Sequence, residues 1–394
     1  MAGNQQSLLI TCPKPDSVAG WLAMLDQPQA DRDYQPGHER MHRLLSRLEL
    51  KKPAYRIRIA GTNGKGSTAH MTANALQAAG LKVGLFTSPH ILHFNERIRI
   101  HGLDITDEQL AHLLELLVPT ALEMGASYFE TATAIALQAF SDACVDVEIL
   151  EAGVGARFDS TTSVPADMAL LTPVGLDHQN WLGDTLIRIA DEKSWIFSGC
   201  KSCYSAPQNA DVMRLLKEKR ADLQVVLALA EQPLRMLGQH QKGNAALALA
   251  AAEHVCGELL VHCDDECLSD AVAYTLVPGR LHKVNYQHAS IWLDAGHNMH
   301  AIEALMPAIA RLADPLDAIL VFTREDRSLD DALPMLKAAA LRIVVSRRSD
   351  PVHGYADVID GLESVLMGKK DAKILVLGSF TTVARVLNWL KERS

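Results

Sequence analysis

Seven residues between an apolar run and a helical pattern constrain this chain more than any other segment: Gly61-Thr62-Asn63-Gly64-Lys65-Gly66-Ser67. Tyr55–Ala60 reads as a strand and residues 67–79 as a helix closed by Gly80, so the segment is a strand-to-helix turn. Its glycines let the backbone curl until successive N–H groups point into one concavity. The helix start adds a partial positive charge and Lys65 a full one. Together these make a phosphate cradle. It is a shorter variant of the GxxxxGK[ST] pattern, because Ile59 stands at the first glycine position and Gly66 follows the lysine. A glycine-rich turn that binds nothing is the alternative, but a lysine between two glycines is poor for helix stability and so needs a reason.

From Tyr55 onward, short apolar runs alternate with helical patterns, the mark of an α/β fold with a mainly parallel sheet. The pattern predicts strands at 82–86, 145–150 and 168–172, and helices at 131–144, 187–197 and 244–255. After Pro278-Gly279 a second series begins, with strands at 290–293, 318–322, 342–345 and 373–377 and helices at 300–312, 329–340 and 383–391. A chain of 394 residues exceeds one ordinary core. The expected boundary lies near Val277, giving domains 1–277 and 278–394.

The formal net charge of −9, from 47 acidic and 38 basic side chains, argues against bulk nucleic-acid binding while leaving room for anionic small ligands. No apolar stretch approaches the roughly 18 residues a membrane span requires. Residues 1–15 lack a basic patch followed by an apolar run, so no signal peptide is expected. These features suggest a cytoplasmic protein with no nucleic-acid or membrane partner; a monomer is the separate expectation. Of the seven cysteines, Cys200 and Cys203 form a CxxC, and Cys263 and Cys267 a CxxxC beside His262. Free thiols are the favoured reading and a zinc tetrad the alternative.

Ligands of open parallel sheets gather beyond the carboxyl ends of the strands. Ser88, Glu151 and Asp177-His178 each follow or end an expected strand there, beside Lys65. An acid closing an apolar strand next to a phosphate loop suits a magnesium–nucleotide site. Singly, Ser88 suits a turn before Pro89, Glu151 a helix cap and His178 a structural hydrogen bond. Their joint placement favours the site.

Ten segments in order then resemble the folylpolyglutamate synthase/dihydrofolate synthase family, a branch of the Mur ligases, from about Trp21 to Leu387. They are Gly61–Ser67, Thr87-Ser88-Pro89-His90, Phe94-Asn95-Glu96-Arg97-Ile98, Tyr128-Phe129-Glu130 and Glu151-Ala152-Gly153-Val154-Gly155. The others are Leu176-Asp177-His178 through Leu182-Gly183, Ile189-Ala190-Asp191-Glu192-Lys193, His240-Gln241 with Asn244, Pro278-Gly279-Arg280 and Asp294-Ala295-Gly296-His297-Asn298. The resemblance implies a Mur-ligase-like P-loop domain, binding ATP and folate, and a smaller Rossmann-like C-terminal α/β domain. It further implies an ADP-forming ligase that adds L-glutamate to dihydropteroate or a reduced folate through an acyl phosphate. ATP would lie on Gly61, Thr62, Asn63, Gly64, Lys65, Gly66 and Ser67, met by Asn244, Arg280 and Asp294. Ser88 and Glu151 would hold one magnesium, and His178, Glu151 and Lys193 a second, with Lys193 carbamylated. Lys65, Glu151, His178, Lys193, Arg280 and His297 would carry the catalysis. Pro36, Gly37 and His38, with Ser127, Tyr128, Phe129, Glu130 and Arg157, would form the substrate side, Glu130 offering a carboxylate to a pterin's amino groups.

Three departures from the family pattern bear on substrate choice. Ala156 replaces a glycine in Gly155-Ala156-Arg157-Phe158-Asp159, and Trp195 stands two residues beyond Lys193. The usual Gly-Met-x-x-Asp-Lys-Asp is replaced around Phe322-Thr323-Arg324-Glu325-Asp326-Arg327. The rival readings are a Mur-type ligase with another carboxylate acceptor and a nucleotide-dependent ATPase or switch.

Overall fold

The computed structural model describes residues 15, 17–25, 37–230, 233–313 and 315–393. Apart from Pro15, the segment read for a signal peptide lies outside them. The first lobe carries β1 (Tyr55–Ala60), β2 (Val83–Phe86), β3 (Ile98–Ile100), β4 (Leu103–Asp104), β5 (Val147–Glu151), β6 (Met168–Leu171), β7 (Ser202–Ser205) and β8 (Gln224–Val225). They form one sheet in the order β4-β3-β2-β5-β1-β6-β7-β8, antiparallel only at β2–β3 and β3–β4. The second lobe carries β9 (His282–Tyr286), β10 (Ala289–Asp294), β11 (Ala318–Val321), β12 (Ile343–Val345) and β13 (Lys373–Leu377), in the order β12-β11-β13-β10-β9. There β9 alone runs antiparallel to its neighbour. The α/β class with a mainly parallel sheet and a second, smaller sheet is as the alternating pattern implied.

β1 is buried along its whole length, as a central strand covered on both faces should be. Its two arginines are tolerated because each is bonded. Arg56 Nε meets Glu148 Oε2 at 2.6 Å, and Arg58 Nη2 donates to the Ser198 carbonyl at 2.5 Å and approaches Cys200 Sγ at 3.0 Å. On one face, helix Lys65–Ala78 packs against the alanine-rich helix Gln239–Glu258. Ala69, Ala73, Ala245, Ala248, Ala251 and Ala252 share that core, and small side chains permit a close approach. Helices Asp107–Glu123 and Tyr128–Ala143 belong to the core on the other face.

Several expected elements shift. The helix after the phosphate loop begins at Lys65 rather than at residue 67. The expected helix 329–340 is a short 3-10 turn, Asp330–Ala332, and a helix of five residues, Leu333–Lys337, because Pro334 forces a new start. The expected helix 187–197 ends as α-helix at Ser194 and tightens into a 3-10 turn over Trp195–Phe197. Among the described residues no helix is long and apolar enough to cross a membrane.

Within this core, Gly84 on β2 lies against the ring of Phe140, where a Cβ would stand 2.5 Å from Cδ1. Phe140 is fully buried and has nowhere to retreat. Gly84→Ala is expected to destabilise the protein by about 1–3 kcal/mol through overpacking. Urea denaturation, read as a lower midpoint at an unchanged slope, checks this.

Candidate nucleotide-binding seam

The order β2-β5-β1-β6 sets four strand ends side by side: Thr87-Ser88, Glu151, the phosphate loop, and the segment from Thr172 to His178. The loop has φ of +145° at Gly61 and +93° at Gly64. A Cβ on Gly61 would run into Thr172, and one on Gly64 into the Asn244 amide, so both places need glycine twice over. Lys65 Nζ curls back to the carbonyls of Gly61 at 3.1 Å and Thr62 at 3.3 Å. Thr62 ties the loop to Gly175 through its Oγ1, at 3.0 Å. Ser67 Oγ is buried with no protein partner. An orphaned hydroxyl at the start of this helix fits a phosphate oxygen or a hard cation.

Glu151 is 3% exposed, and its Oε2 accepts the Ser88 backbone N–H at 3.1 Å. A Cβ on Gly66 would stand 3.5 Å from that oxygen and 3.9 Å from Arg280 Nη2, which measures how tightly the two lobes meet here. Burial pushes the Glu151 pKa up, against the pull of Lys65, the Ser88 amide, Arg280 and Arg97. Ser88, Glu151, Lys65 and Arg280 are therefore gathered at one place. The site suits a hard cation held by hydroxyl, carboxylate and phosphate oxygens.

His178 has φ of +51° at the start of a short helix. Burial lowers its pKa to about 4, reinforced by Arg327, Lys65 and Lys193 against the opposing pull of Asp177. The imidazole is thus neutral, and its Nε2 faces Arg327 Nη2 at 3.4 Å. Lys193 is 2% exposed and donates from Nζ to the Gly61 carbonyl at 2.9 Å. Burial first, and Lys65 next, bring its pKa down to about 7. A surface lysine paired with its neighbours is excluded, because Asp191 pairs instead with Arg157 at 3.0 Å and Lys219 at 2.5 Å. Trp195 faces outward beneath Arg157, whose guanidinium lies 4.8 Å from the ring centre. Arg157 also reaches Glu192 at 3.4 Å, so its guanidinium is held on this helix rather than offered to a substrate.

From helix Gln239–Glu258 of the first lobe, Asn244 bonds Gln241 at 2.9 Å and abuts Gly64. Arg280 lies over Phe380 at 4.9 Å. Asp294 was expected to face the nucleotide, yet its two oxygens accept the N–H groups of Leu281 at 2.8 Å and Gly296 at 2.7 Å. In this structure it shapes the loop that carries His297. His297 Nδ1 bonds the Ala295 carbonyl at 2.9 Å and its Nε2 stands 3.6 Å from Asp177.

On the expected folate side, Pro36 lies outside the described residues. Gly37 has φ of +143°, and His38 Nε2 meets Thr162 Oγ1 at 3.1 Å. Glu130 is not a free carboxylate. Its Oε2 accepts the Ser127 N–H at 2.7 Å in a capping box and Arg40 Nε at 3.2 Å. Phe129 packs between Gly153 and Phe86, a core contact, while Tyr128 lies under the Arg97 guanidinium at 5.4 Å. Ala156 is accommodated because Gly155 takes the positive φ, +68°. Arg97 is the functional neighbour that the motif reading left without a role. It is 8% exposed, donates to His90 Nδ1 at 2.8 Å and faces Glu151. Its signal was present in Asn95-Glu96-Arg97-Ile98. The zinc alternative fails: among the described residues no three His, Cys, Asp or Glu side chains are grouped to hold a metal, and the six described cysteines are free thiols.

Residues 59–233 match the Mur ligase middle domain. The chain is 33% identical over 343 residues to the dihydrofolate synthase/folylpolyglutamate synthase of Bacillus subtilis (strain 168), covering 78% of this chain and 80% of that protein. The chain belongs to the dihydrofolate synthase/folylpolyglutamate synthase family. The protein of the same name from Escherichia coli (strain K12) is 30% identical, with 95% of this chain and 96% of that protein covered. A solved structure of E. coli FolC in complex with DHPP and ADP superposes with a TM-score of 0.83 at 27% identity, covering 96% of this chain and all of that one.

The depressed Lys193 pKa has a measurable consequence. Below about pH 7 the folded protein holds a buried ammonium at full cost. As pH rises from there toward the ordinary lysine value of about 10.4, the unfolded state binds the extra proton and native stability grows. In carbonate-free buffer, the stability of the wild type relative to Lys193→Met is therefore expected to rise between pH 7 and pH 10. Denaturant titrations across that range check the sign.

Proposed function

We propose that the chain is an ATP-dependent, ADP-forming ligase that joins L-glutamate to dihydropteroate, giving dihydrofolate, and to reduced folates, giving folylpolyglutamates. The observation that carries this reading is the meeting of Glu151, Lys65, Arg280 and the unpartnered Ser67 hydroxyl on one phosphate loop between two lobes. In the reaction, a substrate carboxylate oxygen attacks the γ-phosphorus of ATP. The bond to the β,γ-bridging oxygen breaks, leaving ADP and an acyl phosphate. The neutral glutamate amine then adds to the acyl carbon, and phosphate departs as the nitrogen gives up one proton and the amide forms.

Both steps concentrate negative charge beside the nearly buried Glu151 and Lys193, where fixed cations act more strongly than in open water. Lys65 is free to exchange its two carbonyl partners for phosphate oxygens, and Arg280 approaches the same loop from the second lobe. Ser88 and Glu151 would hold one magnesium ion, which when bound neutralises the transferring phosphoryl group. His178, Glu151 and Lys193 would hold a second, with Lys193 as a carbamate supplying an anionic oxygen. Both lobes of the seam come from one chain, so a monomer suffices, and ATP as cosubstrate suits the cytoplasm.

The test is ADP release with dihydropteroate, tetrahydrofolate or a cell-wall peptide precursor, each with and without L-glutamate, the product being weighed by mass spectrometry. Release and a mass gain of one glutamyl residue are expected only when a pteroyl acceptor and glutamate are both present. Release with neither would identify a nucleotide switch instead. Lys65→Ala is expected to lower kcat by about 10²–10³-fold or more, as for loss of a fixed stabiliser of developing charge. Glu151→Gln should weaken the magnesium dependence of the rate while leaving the melting temperature near that of the wild type. Magnesium titrations of the two proteins compare them directly.

A further inference from the structure

We propose that Arg327 is a positioning residue for ligation, clamping the second lobe onto the phosphate-loop edge of the first through Asp177. This deepens the ligase reading and rests on it for its kinetic part.

Asp177 lies on the loop that leaves β6, and its carboxylate is only 8% exposed. The two oxygens are divided between separate loops of the second lobe. Oδ1 accepts Arg327 Nη1 at 2.6 Å, from the segment after β11. Oδ2 accepts Asn298 Nδ2 at 3.1 Å and stands 3.6 Å from His297 Nε2, both on the segment after β10. Asn298 is itself paired with Asn63 of the phosphate loop, at 3.2 Å. One carboxylate therefore fastens two loops of one lobe to the other, beside the nucleotide cradle.

Arg327 is held ready for this contact. Arg348 Nη2 donates to Thr323 Oγ1 and to the Arg324 carbonyl, each at 2.8 Å, and lies 3.3 Å from the Arg327 carbonyl. The guanidinium also points Nη2 at His178 Nε2, 3.4 Å away. A planar fork addresses two acceptors at once, which a lysine ammonium in its place would meet only as a point charge. Both oxygens of Asp177 thus meet donors from the second lobe, Arg327 on one and Asn298 on the other, which suits a charge-assisted contact. An exposed pair such as Arg188–Asp184 contributes little. The cross-lobe pair is 20% and 8% exposed, and losing one partner leaves the other charge poorly compensated.

The test uses Arg327→Ala, Arg327→Lys, Asp177→Asn and the double variant Asp177→Asn/Arg327→Ala in the full chain. Calorimetry reads the ATP affinity, and steady-state kinetics reads kcat and the KM for glutamate. Arg327→Ala is expected to lower kcat by about tenfold or more, roughly the effect of 1.4 kcal/mol. The ATP Kd is expected to rise by less than kcat falls, because Lys65 and the loop backbone stay in place in the first lobe while Arg280 approaches from the second. Arg327→Lys should recover part of the loss. The double variant should lose no more than the worse single one, since the two side chains act as one contact. A kcat for Arg327→Ala within about twofold of wild type, or a double loss equal to the product of the single ones, overturns the proposal. If the wild type joins glutamate to no folate, the ligase reading fails by itself. The clamp is then judged on amide hydrogen exchange: faster exchange at residues 61–64 and 296–300 in Arg327→Ala upholds it, and unchanged exchange overturns it.

Discussion

The seam between the lobes depends on one buried carboxylate facing several cations. Glu151 lies at the end of β5, almost without solvent, and Lys65, Arg280 and Arg97 each lower the cost of its charge. Those cations come from three separate places: the phosphate loop, the junction with the second lobe, and the hairpin edge of the first sheet. Burial raises the cost of that charge, and the nearby cations offset part of it. The parallel strand order makes this possible, because adjacent parallel strands finish at the same edge of the sheet.

Much of that edge was legible from the residues alone. The phosphate loop declares itself because a backbone with positive φ beside close neighbours requires glycine, as Gly61 and Gly64 demonstrate. Ser88, Glu151 and His178 were legible because apolar runs end at or just before them. What sequence could not carry was the use to which a polar residue is put. Glu130 reads equally well as a ligand or as the third residue of a helix cap, and the structure gives it the cap. Asp294 likewise turns its oxygens to backbone amides. The contact between Asp177 and Arg327 spans 150 positions, and no local pattern announces a pairing at that distance. Helix Asp107–Glu123 was missed despite a legible start, the reciprocal Thr106–Gln109 cap. The broken segment after Leu329 was read as continuous because apolar spacing outweighed Pro334 in the reading.

The second lobe contributes few side chains to the seam, and its sheet explains which ones. β10 and β11 are both parallel to β13, so the segments that follow them emerge on one side. His297, Asn298 and Arg327 are brought together by this arrangement, just as Ser88, Glu151 and His178 are in the first lobe. Two sheets thus present their carboxyl edges to each other, and the loops between those edges decide what the cleft admits.

Trp195 illustrates how a helix separates inside from outside over a very short distance. Two residues along a helix lie about 200° apart around its axis, so an inward Lys193 obliges an outward Trp195. The indole, 42% exposed under a guanidinium, lies away from the phosphate-loop side of the helix, where Lys193 bonds the Gly61 carbonyl. Drift at this position is therefore free to alter the protein's exterior, its stickiness and its light absorption, while the interior wall two residues earlier stays untouched.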